Sequence, residues 1–459
     1  MAEFPFKQVL VVGLGESGLA AAQKLLAVGA KVTVTEVQNT PLLQQRAQQL
    51  QELGATVFLK EHSLDLIEDK ELIVASPGVP KEIELFRAAR RRNLPVWSEV
   101  ELAYFFLKER NVTLVGVTGT NGKTTTVELL GAILRRAGYV CRTGGNIGYP
   151  LVKLASEVGE GEYVVAELSS FQLEHIVNFR AKVALILNIT KDHLDWHSNL
   201  QDYIEAKANI FKNQQSGDLS VLNRDDPRVW ALKDRVPADY IGFSRKYPLP
   251  NGVYSESGYI VANFGGLKEK VIELDEVALF GEHNYENAMA ATAAALFLGV
   301  QVKTAREVLK SFSGLPHRIE YAGQIGGVKF FNDSKATNPD ATVRALLSFS
   351  EPLILLMGGK DKGNDFTVVA EAVKGRAKDI ILFGEAAEQI SRTLRAFGCN
   401  VTTVSTLKEA IQEGFKKAKS GDVVLLSPGC ASFDEFRDYK ERGDFFKHFL
   451  KELAVEKTG

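Results

Sequence analysis

The residues best suited to chemistry lie in Gly116-Val-Thr-Gly-Thr-Asn-Gly-Lys-Thr124, between the apolar run Val112–Val115 and a helical pattern over Thr125–Gly138. Glycines let backbone N–H groups converge on an anion, a helix N-terminus adds positive potential, and Lys123 supplies a full charge. Thr124 offers a hydroxyl for a hard cation. The spacing departs from GxxxxGK[ST], because Val stands at 117 and the glycine falls one residue earlier. Strand, GKT and helix together still predict a nucleotide-phosphate loop.

Such a loop needs metal ligands from neighbouring strand ends. Tyr163-Val-Val-Ala-Glu167 is a buried-type strand carrying a carboxylate at its C-terminal end, where ligands bind in α/β sheets. The run Val183–Ile189 leads into Lys191-Asp-His-Leu-Asp195. Hard oxygens suit Mg²⁺ and one imidazole is tolerated, so Glu167 and His193, with Asp192 and Asp195 beside the latter, form a joint candidate. Taken singly, Glu167 is as well read as a structural ion pair and His193 as a core histidine. Lys207 shares a helical row with Ile204, Ala208 and Phe211 within Gln201–Lys212, so it should point inward. There it either snorkels along the core to solvent or is desolvated into a reactive amine.

A second glycine-rich turn, Gly13-Leu-Gly-Glu-Ser-Gly18, follows the strand Val9–Val12, and Glu36 ends the next strand. This is the outline of a dinucleotide fingerprint, but alone it indicates a diphosphate-type fold without saying which nucleotide. Ser76-Pro-Gly-Val-Pro80 adds a tight turn after Leu72–Ala75. Two anion sites in separate blocks suggest a ligase or kinase joining two phosphate-bearing substrates.

The elements that must position these residues repeat one pattern. Apolar, β-branched runs end in glycine-rich turns that open helices at Gln8–Gly18, Thr113–Thr126 and Leu353–Gly363, which argues a parallel α/β sheet in each block. Residues 214–280 read differently, as a β-rich excursion with turns at Asn223–Asp226 and Pro248–Gly252. The expected organisation is three α/β domains: a Rossmann-like sheet over 1–98, a P-loop-type ATPase domain with a small β excursion over 99–314, and a second Rossmann-like domain over 315–459. A length of 459 residues accommodates three domains.

Composition excludes several classes. With 55 Lys+Arg against 57 Asp+Glu, no basic excess advertises nucleic acid or an anionic membrane. No apolar run is long enough for a membrane span, and Met1–Gln8 has no signal-type pattern, so a cytoplasmic protein is expected. Three cysteines without CxxC spacing indicate neither a disulfide framework nor a zinc site.

Thr118–Thr125, Gly145-Asn-Ile-Gly148, Asp192-His-Leu-Asp195, His283-Asn-Tyr-Glu-Asn287 and Pro316-His-Arg318 together resemble the ATP-dependent Mur ligases of peptidoglycan assembly. Asn332-Asp-Ser-Lys-Ala-Thr-Asn338, Ser427-Pro-Gly-Cys-Ala-Ser-Phe433 and the opening GLGESG point within that family to the branch that adds D-glutamate to UDP-N-acetylmuramoyl-L-alanine. The resemblance implies an acyl-phosphate mechanism with ATP and two Mg²⁺ ions in a protein that acts as a monomer on small-molecule substrates. It implies that Gly119, Thr120, Asn121, Gly122, Lys123, Thr124, Thr125, Asn284, Asn287, Arg318 and Asp333 serve ATP, with Arg318 brought in from the third domain. Lys123, His193, Lys207 and Arg318 would be catalytic. Thr124, Glu167 and His193 would hold metal, joined by Lys207 as a CO₂-derived carbamate. Gly15, Glu16, Ser17, Glu36, Ser76, Gly78 and Asn146 would bind the UDP-substrate, with Glu36 facing the uracil. Lys335, Thr337, Lys362, Ser432, Phe433 and Tyr439 would meet D-glutamate; Tyr439 stands where the family more often has Phe. Other readings remain open at this point: an NAD-dependent oxidoreductase using Gly13–Gly18, a related ligase such as a folylpolyglutamate synthetase, and a non-catalytic ATP sensor.

Overall fold

Runs such as Gln8-Val-Leu-Val-Val12, buried along four of five positions, have no polar face and so form interior strands covered on both sides by helices. A computed structural model describes residues 3–146, 149–190, 197–279, 281–312, 314, 316–349, 351–361 and 364–458. His193 with Asp192 and Asp195, Gly148 and Lys362 lie outside the described residues.

The first sheet contains β1 (Gln8–Val12), β2 (Lys31–Glu36), β3 (Thr56–Leu59), β4 (Leu72–Ala75) and β5 (Val96–Ser98). They pair in the order β3-β2-β1-β4-β5 with every pairing parallel. The chain turns from one side to the other between β1 and β4, which opens a crevice at their C-terminal ends. Helices α1 (Glu16–Ala27), α2 (Pro41–Glu52) and α3 (Glu84–Arg91) form the crossovers.

Helix α4 (Glu99–Leu107) leaves β5 through a Ser98 cap whose hydroxyl accepts the Glu101 N–H. Phe4, Phe6, Trp97, Phe105 and Phe106 pack edge to face and stacked around it, and one continuous apolar core runs from β1 and α1 to the second sheet.

That second sheet comprises β6 (Thr113–Thr118), β7 (Cys141–Gly145), β8 (Tyr163–Glu167), β9 (Val183–Ile186), β10 (Leu219–Asn223), β11 (Asp239–Ser244), β12 (Gly252–Glu256), β13 (Tyr259–Phe264) and β14 (Leu267–Glu273). Their order is β14-β13-β12-β11-β10-β9-β6-β8-β7. The expected excursion over 214–280 is thus an extension of the central sheet. Strands β10 to β12 continue it in parallel, and β12 to β14 close it as an antiparallel meander. Its helices are α5 (Lys123–Arg136), α6 (Leu151–Glu157), α7 (Ser170–Glu174), α8 (Leu200–Ala208), α9 (Pro227–Trp230), α10 (Glu282–Phe297) and α11 (Val302–Ser311).

The third sheet, β15 (Glu320–Ile325), β16 (Val328–Asn332), β17 (Leu353–Gly358), β18 (Ala377–Phe383), β19 (Val401–Thr403) and β20 (Val423–Gly429), has the order β15-β16-β20-β17-β18-β19. Only β15 runs antiparallel, so the C-terminal ends of β16, β20 and β17 lie side by side. Helices α12 (Pro339–Leu346), α13 (Thr367–Val373), α14 (Ala387–Ala396), α15 (Leu407–Lys417) and α16 (Tyr439–Thr458) cover it.

The chain divides into two compact units, Met1–Glu276 with Tyr285–Lys310, and Val277–Asn284 with Ser311–Gly459. Among the described residues, no helix is long and apolar enough to cross a membrane.

Candidate active site

Strand β6 ends at Thr118, and the following loop turns through Gly119 at φ +155° and Gly122 at φ +83° before α5 begins at Lys123. The helix therefore starts two residues before Thr125, which puts Lys123 and Thr124 in its first turn, where N–H groups lack helical acceptors. A side chain at 122 is excluded twice over: the backbone is left-handed, and an added Cβ would lie 2.2 Å from Asn287 Oδ1. Thr126 Oγ1 donates to that same Asn287 oxygen at 3.3 Å, so α10 braces the loop from behind.

The opposite side of the loop is held by the segment after β9. The Thr120 N–H donates to the Asn188 carbonyl at 2.9 Å, and the Asn121 N–H donates to Asn188 Oδ1 at 2.8 Å. The Thr120 hydroxyl accepts from the Thr190 N–H at 3.0 Å and lies 3.2 Å from the Tyr203 hydroxyl. Lys123 Nζ donates to the loop's own Gly119 and Thr120 carbonyls at 2.8 and 2.9 Å.

Glu167, 2% exposed at the end of β8, accepts from Thr124 Oγ1 at 2.7 Å and from Asn146 Nδ2 at 3.2 Å. A hydroxyl and a carboxylate side by side next to a phosphate loop form the hard-oxygen set that Mg²⁺ prefers, so these residues fit the ion. Lys207 is 1% exposed; its Nζ donates to the Gly119 carbonyl at 3.0 Å, lies 3.4 Å from Thr118 Oγ1, and sits 4.5 Å from the Tyr203 ring centroid. Of the two ends the sequence left open for this lysine, the structure gives the buried one beside the loop. Gly119 to Thr125, Asn146, Glu167, Lys207 and Asn287 thus converge at the C-terminal end of β6 and β8.

The first sheet carries a second cradle. Gly13 adopts φ +95°, Ser76 Oγ donates to its carbonyl at 3.0 Å, and a Cβ on Gly18 would meet that carbonyl oxygen at 2.0 Å. Gly15 caps α1, and Glu16 and Ser17 occupy its first turn. Glu36 accepts the Leu14 N–H and the Gln38 N–H, both at 2.9 Å, and so braces the glycine loop. Gly78, at φ +96°, turns the neighbouring loop after β4. Sequence reasoning missed Arg46 on α2, which donates to the Leu14 carbonyl at 3.1 Å and pairs with Glu16, adding a cation to the cradle. No motif marks it; only the packing of α2 on α1 brings it there.

In the second unit, Arg318 sits between His317 and Ile319, both at positive φ, +65° and +43°. For β-branched Ile319 this is a strained backbone. Asp333, which is buried, accepts Ser427 Oγ at 2.8 Å and the Ile319 N–H at 3.3 Å; burial pushes its carboxyl up to about 7 against the opposing charge of Arg318. Lys335 and Thr337 follow β16, and Ser432 and Phe433 follow β20, with Ser432 buried and Phe433 58% exposed. Lys335 Nζ lies 5.5 Å from the Tyr439 ring centroid. Asn284 belongs to this unit and Asn287 to the first.

A phosphate loop with a hydroxyl–carboxylate pair, on one of three α/β sheets, is the arrangement of a nucleotide-dependent enzyme, and the chain belongs to the Mur ligase family. Family models match as the Mur ligase MurD-like N-terminal domain over residues 7–98, the Mur ligase middle domain over 117–295, and the Mur ligase glutamate ligase domain over 317–430. Among relatives, the UDP-N-acetylmuramoylalanine--D-glutamate ligase of Thermoanaerobacter pseudethanolicus is 41% identical over 454 residues, 98% of this chain and 99% of that protein. The enzyme of the same name from Pelotomaculum thermopropionicum is 43% identical over 452 residues, again 98% and 99%. The fold is shared with a solved UDP-N-acetylmuramate-alanine ligase of Thermotoga maritima, at 22% identity and TM-score 0.57, covering 98% of this chain and all of that one. A pseudomurein peptide ligase type C from Methanothermus fervidus has the same TM-score at 19% identity, covering 97% and 100%. Family membership sets aside the oxidoreductase that Gly13–Gly18 alone would suggest.

Proposed function

We infer that the chain is an ATP-dependent amide ligase that adds D-glutamate to UDP-N-acetylmuramoyl-L-alanine in peptidoglycan precursor synthesis. The observation that carries this reading is the convergence of Lys123, Thr124, Glu167 and buried Lys207 on one phosphate loop. A substrate carboxylate oxygen attacks the γ-phosphorus of ATP; the bond to the β–γ bridging oxygen breaks, and ADP leaves behind an acyl phosphate. The D-glutamate ammonium loses one proton and its amine attacks the acyl carbon; the new C–N bond's nitrogen gives up a second proton, and the tetrahedral intermediate collapses to the amide as the C–O bond breaks and hydrogen phosphate leaves. Such transfers depend on charge neutralisation and alignment more than on covalent help from the protein.

Lys123 and Arg318 neutralise the ATP phosphates, and Asn284, Asn287 and Asp333 hold the rest of the nucleotide. Thr124, Glu167 and His193 hold two Mg²⁺ ions, which when bound supply positive charge to the transferring phosphoryl group. Lys207 acts as a carbamate: its amine, after giving up the ammonium proton, adds to CO₂, forming the N–C bond and releasing a second proton, and the side chain becomes an anion. Gly15, Glu16, Ser17, Glu36, Ser76 and Gly78 bind the UDP moiety, and Asn146 the sugar-peptide. Lys335, Thr337, Lys362, Ser432, Phe433 and Tyr439 receive D-glutamate, cations and hydroxyls being suited to two carboxylates. The three segments 1–98, 99–314 and 315–459 then divide the work as UDP recognition, ATP chemistry and amino-acid delivery.

Phosphate release with ATP, Mg²⁺ and UDP-N-acetylmuramoyl-L-alanine tests the reading. Release should depend on D-glutamate and not on L-glutamate, D-aspartate or L-lysine. Equal release with all four would overturn the amino-acid assignment.

A further inference from the structure

Among the described residues, one arginine is fully enclosed: Arg442, 0% exposed, one turn into α16. Its guanidinium donates through Nε to Ser334 Oγ at 3.0 Å, through Nη2 to the Ser334 and Cys430 carbonyls at 2.9 and 3.0 Å, and through Nη1 to the Ala431 carbonyl at 3.2 Å. Burial pulls the group down to about 10, so it stays charged at neutral pH. A buried cation is expensive to desolvate, and an apolar side chain of similar volume often fills such a site at no loss of stability. The acceptors of these four bonds are backbone carbonyls and one hydroxyl; Asp434, Glu435 and Asp333 favour the charge from further away, so what the fork itself grips is backbone and not a carboxylate.

Those acceptors belong to the loops that follow β16 and β20. A third loop, after β17, joins them: the Lys360 N–H donates to the Ala431 carbonyl at 2.8 Å, and the Ala431 N–H returns to the Lys360 carbonyl at 3.1 Å. Gly359 lets this loop approach, because a Cβ there would stand 2.9 Å from Arg442 Nη1 and 2.3 Å from the Ala431 oxygen. Ser334 Oγ also donates to the Tyr439 carbonyl at 2.8 Å, which ties in the start of α16 itself. The three loops carry Lys335 and Thr337, Ser432 and Phe433, and Lys362.

We propose that Arg442 is a positioning residue for the amino-acid subsite, its planar fork fixing the spacing of the loops after β16 and β20, to the second of which the loop after β17 is bound through Lys360 and Ala431. The proposal rests on the D-glutamate reading above. A lysine is a single point charge and cannot span the same carbonyls, so Arg442→Lys should keep the charge and lose the alignment.

The test compares wild type, Arg442→Lys, Arg442→Ala and Ser334→Ala, with thermal unfolding recorded for each. For Arg442→Lys the D-glutamate KM should rise about tenfold to a hundredfold, the scale of a misplacement of around 1 Å. The KM values for ATP and the UDP-substrate, and single-turnover ADP formation without amino acid, should stay within about twofold of wild type. Ser334→Ala, which removes one acceptor and leaves the charge, should shift the D-glutamate KM in the same direction by a smaller factor. Guanidinium ion added to Arg442→Ala should lower its D-glutamate KM. Equal changes in all three KM values, or none in either variant, would overturn the proposal; if Arg442→Lys does not fold, Ser334→Ala decides alone. A wild-type chain indifferent to the amino acid would refute the functional reading instead, whatever the variants do.

Discussion

Lys207 shows how a single residue's row in a helix can foretell its surroundings. Its place among Ile204, Ala208 and Phe211 predicts an inward side chain, and the structure puts its amine at the Gly119 carbonyl. Lys207→Ala should lower phosphate release by a hundredfold or more, roughly the effect of losing one preorganised charged group. Short carboxylic acids should restore part of it; restoration by small amines instead would mean that the ammonium, not the carbamate, is the working form. Glu167 was legible for a similar reason, as a carboxylate closing an apolar strand. Arg46, Asn188 and Arg442 were not. Their partners are backbone groups or side chains distant in sequence, 108 positions away for Arg442 and Ser334, and no spacing rule connects them.

At the scale of elements, strand, glycine turn and helix were legible wherever all three occurred together, because the turn chemistry and both periodicities agree. The apolar face alone starts α5 at Thr125, yet the helix begins at Lys123, since its first turn is polar and only half-buried and so leaves no apolar signal. Strands β10 to β14 read as an excursion because their turns resemble those of a separate small sheet, and only pairing with β9 shows them to be its continuation. The glycine loop after β1 gives an element-scale prediction. Gly18→Ala forces a Cβ against the Gly13 carbonyl and Ser76 Oγ, both of which frame the cradle. Overpacking of this kind costs about 1–3 kcal/mol, and the displaced loop should raise the UDP-substrate KM about tenfold while the ATP KM holds. Steady-state kinetics with each substrate varied would reveal a shared change, and with it a fault in the division of labour.

Over the whole molecule, each unit encloses an acid whose ionisation is suppressed. Glu99, fully buried at the start of α4, accepts the Val152 N–H at 2.6 Å, and burial pushes it up to about 7, as it does Asp333 in the second unit. A carboxyl raised in this way keeps its proton in the folded chain after the unfolded chain has lost it. Its stabilisation is therefore complete below the unfolded value of 4.5 and is lost as pH rises through about 7. Across that window Glu99 should account for about 3 kcal/mol at most. Urea unfolding at pH 5 and 7.5 should show a smaller difference for Glu99→Gln than for wild type; equal differences would mean the acid is not held neutral. The meander at the end of the central sheet has a consequence of another kind. Its outermost strand, β14, begins Leu267-Lys-Glu-Lys270 with all four residues exposed, Leu267 at 82%. An edge strand invites a strand from another molecule, and here Arg306 of α11 occupies the Lys270 and Val271 carbonyls while charged side chains line the start of the strand. Between the arginine on its carbonyls and the charges along its start, the far edge of a nine-stranded sheet is guarded against edge-to-edge pairing.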